Sequence, residues 1–113
     1  MRIDSYDFGL IVIDGAPYRQ DVLLWPGHIK SDWWRSESHL LQLDDVVEAL
    51  AAAPQVLVVG TGQPGRMRVD PSLAAYLKDK GIESVVLPTA EACRVINAQA
   101  GKRRLAAALH LTC

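Results

Sequence analysis

The chain contains only two cysteines, Cys93 and Cys113, and no apolar run long enough to cross a membrane. A disulfide framework needs several pairs, so the two cysteines cannot form one, although a single bridge between them is possible. A membrane-spanning helix needs about 20 apolar residues in succession. The first residues, Met1–Ser5, reach charge at once, with no apolar signal segment behind them. We therefore expect a cytoplasmic domain with two reduced thiols.

Neither sign of charge is in excess. Twelve basic residues against thirteen acidic ones give a formal net charge of -1, a balance that does not attract nucleic acid or an anionic membrane over a distance. The length of 113 residues fits one domain, and the apolar half of the composition suffices for one core. We predict a single domain over residues 1–113 that binds no nucleic acid and has no transmembrane segment.

The first third of the sequence has the composition of strands. Phe8–Ile13 is rich in β-branched residues, and Asp14-Gly15 after it is a strong hairpin signal, because both residues tolerate positive φ. The returning strand is predicted to run from Ala16 to about Leu24. Trp25-Pro26-Gly27 interrupts the pattern. The polar segment Ser31–Ser38 is predicted to be a loop with aromatic anchors.

Strands and helices alternate over the rest of the chain. The continuous apolar run Val56–Val59 and the segment Ser84–Leu87 predict neighbouring or near-neighbouring parallel strands that are buried on both faces, and Arg104–His110 predicts a last strand. Three helices are predicted between and before these strands, with Asp44, Asp70 and Thr89 as their caps and with Pro54, Gly81 and Gly101 ending them. The first helix is expected to bury Val46, Val47, Leu50 and Ala51, and the second Leu73, Ala74 and Leu77. The predicted fold class is α/β, with an N-terminal β-hairpin and parallel β-α-β units.

A glycine loop, Gly60–Gly65, follows the predicted strand Val56–Val59 and has the formal spacing G-x-G-x-x-G of a dinucleotide-binding turn. Its context differs, because Pro64 and the segment Arg66–Asp70 delay the next helix, and Glu83 precedes the next strand instead of ending it. We predict that no dinucleotide binds there and that the domain has no cofactor.

A weaker site at the same loop stays open. Loops at the carboxyl ends of parallel strands bind ligands in open α/β sheets, and exposed amides at a helix N-terminus hold anions. The candidate ligand-binding or anion-binding residues are Gly60, Thr61, Gly62, Thr89, Asn97, Arg66, Arg68 and Arg104.

The second candidate surface is aromatic. Trp25, Trp33 and Trp34 lie within ten residues of one another, and Arg35 follows them. Tryptophan is favoured at interfaces, because a large apolar face comes with a donor that can stay hydrated. These four residues are the predicted interaction surface, with core packing as the alternative for at least one tryptophan.

No catalytic or metal-binding set is recognisable. The chain lacks G-x-S-x-G, and its soft metal ligands, namely His28, His39, His110, Cys93 and Cys113, form neither C-x-x-C nor H-x-x-x-H. We predict no metal site, and whether the domain is an enzyme is left open, with the balance towards none.

Taken together, motifs along the whole chain resemble those of the Mth-type domain family. They are Trp25-Pro26-Gly27, Trp34-Arg35 with His39, Val59–Gly62, Leu87-Pro88-Thr89 with Ala92 and Asn97, and Arg104–Cys113 with its ending His110-Leu111-Thr112-Cys113. The family includes a vertebrate adipogenesis-associated cytosolic protein and mitochondrial complex I assembly factor three.

The resemblance implies a three-layer α/β fold with a mixed central sheet and no established reaction. It favours an interaction or assembly module without catalysis, with a protein partner that the sequence does not name. The alternative is a small-molecule or anion-binding protein, or an enzyme, with its site at Gly60–Gly65 and the helix N-terminus at Thr89. Complex I assembly is not carried over, because no mitochondrial leader is expected. A homo-oligomer is allowed but not predicted.

Overall fold

The computed structural model describes residues 1–113, and the chain begins with three antiparallel strands. They are β1 (Ile3–Asp7), β2 (Leu10–Ile13) and β3 (Ala16–Tyr18), and they form a sheet of their own in that order. Asp14 and Gly15 join β2 to β3 with φ of 50° and 81°, so the predicted hairpin is confirmed. β1 was not predicted, because only Ile3 of its five residues is buried.

The predicted returning strand, Ala16–Leu24, is two strands in different sheets. β3 ends at Tyr18, and β4 (Val22–Trp25) belongs to the main sheet, where Val22, Leu23 and Leu24 are buried. The three polar residues Arg19–Asp21 separate them, and Arg19 and Gln20 are exposed, because polar side chains without partners are not buried in an apolar interior. β4 turns at Pro26-Gly27 into β5 (His28–Lys30).

The remaining elements complete a mixed sheet. They are β6 (Leu40–Leu41), α1 (Val47–Leu50), β7 (Val56–Gly60), β8 (Arg68–Val69), α2 (Pro71–Asp79), β9 (Glu83–Leu87), α3 (Thr89–Gln99) and β10 (Leu105–Leu109). The main sheet has the strand order β5-β4-β10-β7-β9. β10, β7 and β9 are mutually parallel, whereas β4 and β5 run antiparallel to their neighbours. β6 and β8 form a separate parallel pair.

Two apolar cores lie on the two faces of this sheet. Val56 and Val58 of β7 point into the core shared with α3 and the three-stranded sheet, and Leu57 and Val59 point into the core shared with α1 and α2. The alternation shows that both faces are covered, as a parallel sheet requires. The predicted three-layer α/β fold with a mixed central sheet is therefore confirmed.

The two predicted parallel strands differ in burial. β7 and β9 are neighbours, with Val56 beside Glu83, and β7 is buried along its whole length. β9 is an edge strand, and Val86 is 46% exposed. The predicted burial of Ser84–Leu87 on both faces is wrong, because Val85 and Leu87 pack against the core shared with α3, whereas Ser84 and Val86 on the other face are exposed.

The first predicted helix is shorter than expected. Residues 43–45 form a 3-10 turn that contains Asp44, so Asp44 is not the cap; instead, the amide of Gln42 donates to the Asp45 carboxylate at 2.8 Å. α1 has four residues, and its predicted buried face is partly wrong, because Val47 and Ala51 are exposed.

The other two helices follow the prediction more closely. α2 has Pro71 in its first turn after Asp70, and it buries Leu73 and Leu77 but leaves Ala74 exposed. Thr89 is the first residue of α3 and not its cap. No helix in the structure has the length and apolar character needed to span a bilayer.

Candidate functional site

A polar cluster lies where β10 ends and β4 begins. β4 and β10 are antiparallel with Val22 beside Leu109, so Asp21, directly before β4, meets His110, directly after β10. Arg35 reaches the same point from the loop after β5. The side chains of Arg35, Asp21 and His110 are only 3%, 15% and 6% exposed, so three polar groups share a nearly dry interior.

The Asp21 carboxylate is the centre of this cluster. One oxygen accepts the amide of Leu111 at 2.8 Å, and the other lies 2.8 Å from Arg35 Nη1 and 2.8 Å from His110 Nδ1. Burial by itself would raise the pKa of Asp21, but hydrogen bonds from His110, Leu111 and Arg35 outweigh burial and lower it. Asp21 therefore stays ionised and neutralises the buried guanidinium of Arg35.

The contacts of His110 indicate a structural role. An ionised carboxylate only accepts, so the short contact with Asp21 places a proton on Nδ1. The other ring nitrogen, Nε2, is buried without a hydrogen-bond partner, and the ring meets His39 edge to face with 5.6 Å between the centroids. A catalytic Asp-His pair needs Nε2 within reach of a nucleophile or substrate. Here no hydroxyl or thiol contacts it.

The loop after β5 is held on both sides of Trp34. The amide and the indole of Trp33 donate to the carbonyl oxygens of Asp21 and Asp45, each at 3.0 Å. Arg35 donates to the carbonyl of Ser38 through Nε and Nη2 at 3.1 and 2.7 Å. Between these anchors the side chain of Trp34 is 79% exposed.

A pocket of about 200 Å³ lies against this loop. Trp34, Arg19, Gln20 and Thr112 are among its lining residues, together with all three members of the polar cluster. Arg19 is exposed and makes no ion pair within the protein. The pocket thus joins an apolar wall at Trp34 to a positive charge without an internal partner.

The predicted interaction surface is smaller than expected. Trp33 is buried, the Arg35 side chain is buried in the polar cluster, and Trp25 is half-buried and stacks on His28 at 5.2 Å. Trp33 follows the alternative of core packing, whereas the prediction that Arg35 is a surface residue is wrong, because its guanidinium pairs with Asp21 inside the protein. Trp34 remains as the exposed member.

The amides of the glycine loop are already bonded. Thr61 donates its amide to the Leu87 carbonyl at 2.9 Å, and Gly62 donates its amide to Thr89 Oγ1 at 2.8 Å. The Thr89 hydroxyl in turn donates to the His110 carbonyl at 2.6 Å. The predicted anion site therefore lacks its free backbone donors, and Thr89 joins two loops instead of capping α3.

Both glycines at this point permit close approach of neighbouring segments. A Cβ on Gly60 would lie 2.8 Å from Leu109 Cδ2, and a Cβ on Gly62, which has φ of +98°, would lie 2.1 Å from the Thr112 carbonyl oxygen. The helix after the loop, α2, begins only at Pro71. Close packing therefore explains why glycine occupies positions 60 and 62. A dinucleotide-binding turn needs a helix that begins at the loop, and no helix begins there.

Two of the other predicted ligand-binding residues, Asn97 and Arg104, lie away from the loop. Arg66 and Arg68 are exposed. Asn97 exchanges hydrogen bonds of 2.9 and 2.8 Å with the backbone of Ile3 and so fastens β1 to α3. Arg104 lies at the opposite edge of the sheet, where its Nε donates to the Ala53 carbonyl at 3.0 Å. The structure therefore brings Gly60, Gly62 and Thr89 together but places Asn97 and Arg104 elsewhere.

Several sequence signatures do meet at the polar cluster. A continuous chain of contacts runs from Gly62 through Thr89 and His110 to Asp21 and Arg35. Asp21 was missed by sequence reasoning. Its one signal is a charge directly before the three buried residues Val22–Leu24 of β4.

Neither cysteine lies in the polar cluster. Cys93 is buried on α3, and burial raises the pKa of its thiol to about 11, with Arg94 opposing the rise. Cys113 is half-buried, and both thiols are free. No three side chains of the histidine, cysteine, aspartate or glutamate type come together as a metal-ligand group.

Comparison with known proteins places this fold in a family. A family model described as "Protein of unknown function (DUF498/DUF598)" matches residues 3–110. The chain belongs to this family. It is 32% identical to the conserved hypothetical protein PH1505 from Pyrococcus horikoshii OT3, with a TM-score of 0.88 and 100% of both chains covered.

Two further solved structures of this fold tie it to the Mth-type domain. One, called MT938, is 25% identical with a TM-score of 0.80, over 99% of this chain and 98% of that one. The other, a Mth938-like domain from Bordetella pertussis, is 21% identical with a TM-score of 0.76, over 97% of this chain and 85% of that one. The predicted resemblance is confirmed, and the family is one without an assigned function.

Proposed function

We propose that this domain is a non-catalytic interaction module that binds a partner protein through Trp34 and the adjacent pocket. The observation that carries the proposal is an indole that is 79% exposed on a loop anchored at both neighbouring residues. Exposed tryptophans on a fixed backbone supply much of the energy of protein interfaces, because they bury a large apolar area at little conformational cost.

The buried cluster beneath the loop supports a preorganised surface. Asp21 binds the backbone of Leu111 and the side chain of Arg35, and Arg35 holds the carbonyl of Ser38. The guanidinium also lies 4.8 Å from the centre of the Trp33 ring. The backbone that carries Trp34 is thus held in place and does not need to rearrange when a partner binds.

The size of the pocket favours a single side chain from a partner. Its volume is about 200 Å³, below the roughly 300–1,000 Å³ of small-molecule sites. Arg19, which makes no ion pair, would meet a carboxylate, and Trp34 would cover the apolar stem of the same side chain. A partner segment that presents an aspartate or glutamate fits this arrangement.

A non-catalytic role agrees with the chemistry of the cluster. Asp21 is bonded to both Arg35 and His110, and the buried Nε2 of His110 meets no nucleophile. The alternative of a ligand site at Gly60–Gly65 has less support, because the amides of Thr61 and Gly62 are bonded internally. The two cysteines are free thiols, which agrees with an assembly factor that works in the reducing cytoplasm.

The test compares Trp34→Ala with Val47→Ala, a matched loss of exposed apolar surface on α1. Proteins captured from the source cell by the wild-type domain are quantified for each variant, and the affinity of the captured partner is then measured. A hot-spot tryptophan contributes about 2 kcal/mol or more, so Trp34→Ala should weaken binding about 30-fold. Val47→Ala and wild type should bind alike. A partner retained equally by Trp34→Ala would contradict the proposal.

A further inference from the structure

The amino edge of the parallel strands carries an open groove of about 510 Å³. It is formed by the three turns that lead into β7, β9 and β10. Its lining residues include Lys80, Arg103 and Arg104 and no acidic residue. Its volume lies within the range of roughly 300–1,000 Å³ that small-molecule sites occupy.

Two of the three cations in this groove lack an acidic partner. Lys80 and Arg104 make no ion pair anywhere in the structure, whereas Arg103 pairs with Glu83 at 2.9 Å. Lys80 rests 5.6 Å from the centre of the Tyr76 ring, and Arg104 uses only Nε to bind the Ala53 carbonyl. The terminal nitrogens of Arg104 and the ammonium of Lys80 are therefore free to bind an oxyanion.

The groove also offers apolar contact beside the charges. Leu50, Pro54 and Ile82 line it together with the cations. A long polyanion is disfavoured, because the domain as a whole has a net charge of -1 and acidic residues lie beyond the groove. A short molecule with one anionic group and one apolar part matches both kinds of lining.

We propose that this groove binds the phosphate group of a small phosphomonoester, with Arg104 and Lys80 on the phosphate and the apolar wall on the organic part. The site is separate from the surface at Trp34, so either one can fail without affecting the other. Arg104 was expected at the glycine loop, and the structure places its charge with two other cations at the opposite edge.

The test is a titration of isotopically labelled protein with inorganic phosphate and with phenyl phosphate, followed by amide NMR. Sodium chloride at equal ionic strength is the reference, because screening alone shifts exposed amides. The expected result is saturable shifts at residues 80–82 and 103–104, with none at Thr61 or Gly62. Phenyl phosphate should bind more tightly than phosphate. Shifts identical to those in sodium chloride, or equal affinities for the two probes, would overturn the proposal.

Substitutions test which side chains of the groove bind the phosphate. Arg104→Gln and Lys80→Gln should each weaken phenyl phosphate binding about tenfold, which corresponds to about 1.4 kcal/mol, because each removes a charged hydrogen bond to the phosphate. Arg94→Gln, an exposed arginine on α3, is the matched control and should leave affinity unchanged. Lys80→Gln stays informative if Arg104→Gln does not fold, because the ammonium of Lys80 makes no hydrogen bond to the protein. Equal losses in Lys80→Gln and Arg94→Gln would contradict the assignment.

A final experiment distinguishes a lipid headgroup from a soluble phosphomonoester. Phosphatidylcholine vesicles with and without a phosphoinositide are sedimented with the protein. Binding to the phosphoinositide vesicles, lost in Lys80→Gln, would identify a lipid headgroup as the phosphomonoester. Binding of phenyl phosphate alone would identify a soluble molecule. Binding of neither probe would refute the site.

Discussion

The two ends of the parallel strands β7, β9 and β10 use their polar groups in opposite ways. At the carboxyl end, the amides of Thr61 and Gly62 and the side chain of Arg35 are all bonded inside the protein. At the amino end, Lys80 and Arg104 surround an open groove without an acidic partner. Ligands usually bind at the carboxyl end of such sheets, but here the glycine-loop amides at that end are bonded internally, and the cations Lys80 and Arg104 without an ion pair line a groove at the other end.

The closed end should depend most on Asp21. Asp21→Asn removes the charge that neutralises the buried guanidinium of Arg35, and breaking a buried pair costs about 3–5 kcal/mol of unfolding free energy. Urea denaturation measures this loss. Glu48→Gln, which breaks the exposed pair of Glu48 with Lys30, is the control and should cost less than about 1 kcal/mol. Equal losses in the two variants would mean that the cluster does not hold this end.

Gly62 should be the next most sensitive position. A Cβ there would lie 2.1 Å from the Thr112 carbonyl oxygen, so Gly62→Ala adds overpacking of about 1–3 kcal/mol to the roughly 1–2 kcal/mol of a left-handed φ. Gly15→Ala, with φ of +81° and nothing within 4 Å of its Cβ, should show only the second loss. Thermal unfolding of both variants is the measurement. A Gly15→Ala variant as unstable as Gly62→Ala would show that close packing is not the reason for Gly62.

Thr89 should contribute through its hydroxyl. Thr89→Val keeps the shape but leaves the buried amide of Gly62 and the carbonyl of His110 without their partner, at a cost of about 1–3 kcal/mol. Thr89→Ser keeps the hydroxyl and should lose less. If Thr89→Val unfolds at the same urea concentration as the wild type, the link between the two loops is not formed as described.

The smallest expected effect is on the decrease of the unfolding free energy at acidic pH. The folded pKa of Asp21 is lowered, so Asp21 contributes stability above its ordinary pKa of about 3.9 and loses it as pH falls through the lower folded value. Asp21→Asn has no such group to protonate. Its unfolding free energy should therefore fall less steeply with acid than that of the wild type, measured by urea denaturation between neutral and acidic pH. Parallel curves would contradict the role of Asp21.

Much of the fold was predictable because its signals are local. The hairpin at Asp14-Gly15 and the apolar run of β7 each lie within a few neighbouring residues. The polar cluster was not, because Asp21 and His110 are 89 positions apart and no local pattern joins them. The position of Arg104 could have been predicted correctly, since a residue at the start of a parallel strand lies at the amino edge of the sheet.

Amide hydrogen exchange at Gly62 tests the contrast between the two ends most directly. Its amide donates to the buried hydroxyl of Thr89 at 2.8 Å, so it should exchange as slowly as the amide of Ala107 in the central strand, through global unfolding. The exposed turn residue Gly27 provides the fast reference. Exchange of Gly62 at the rate of Gly27 would show that the loop amides are open to solvent and to ligands, and would contradict a closed carboxyl end.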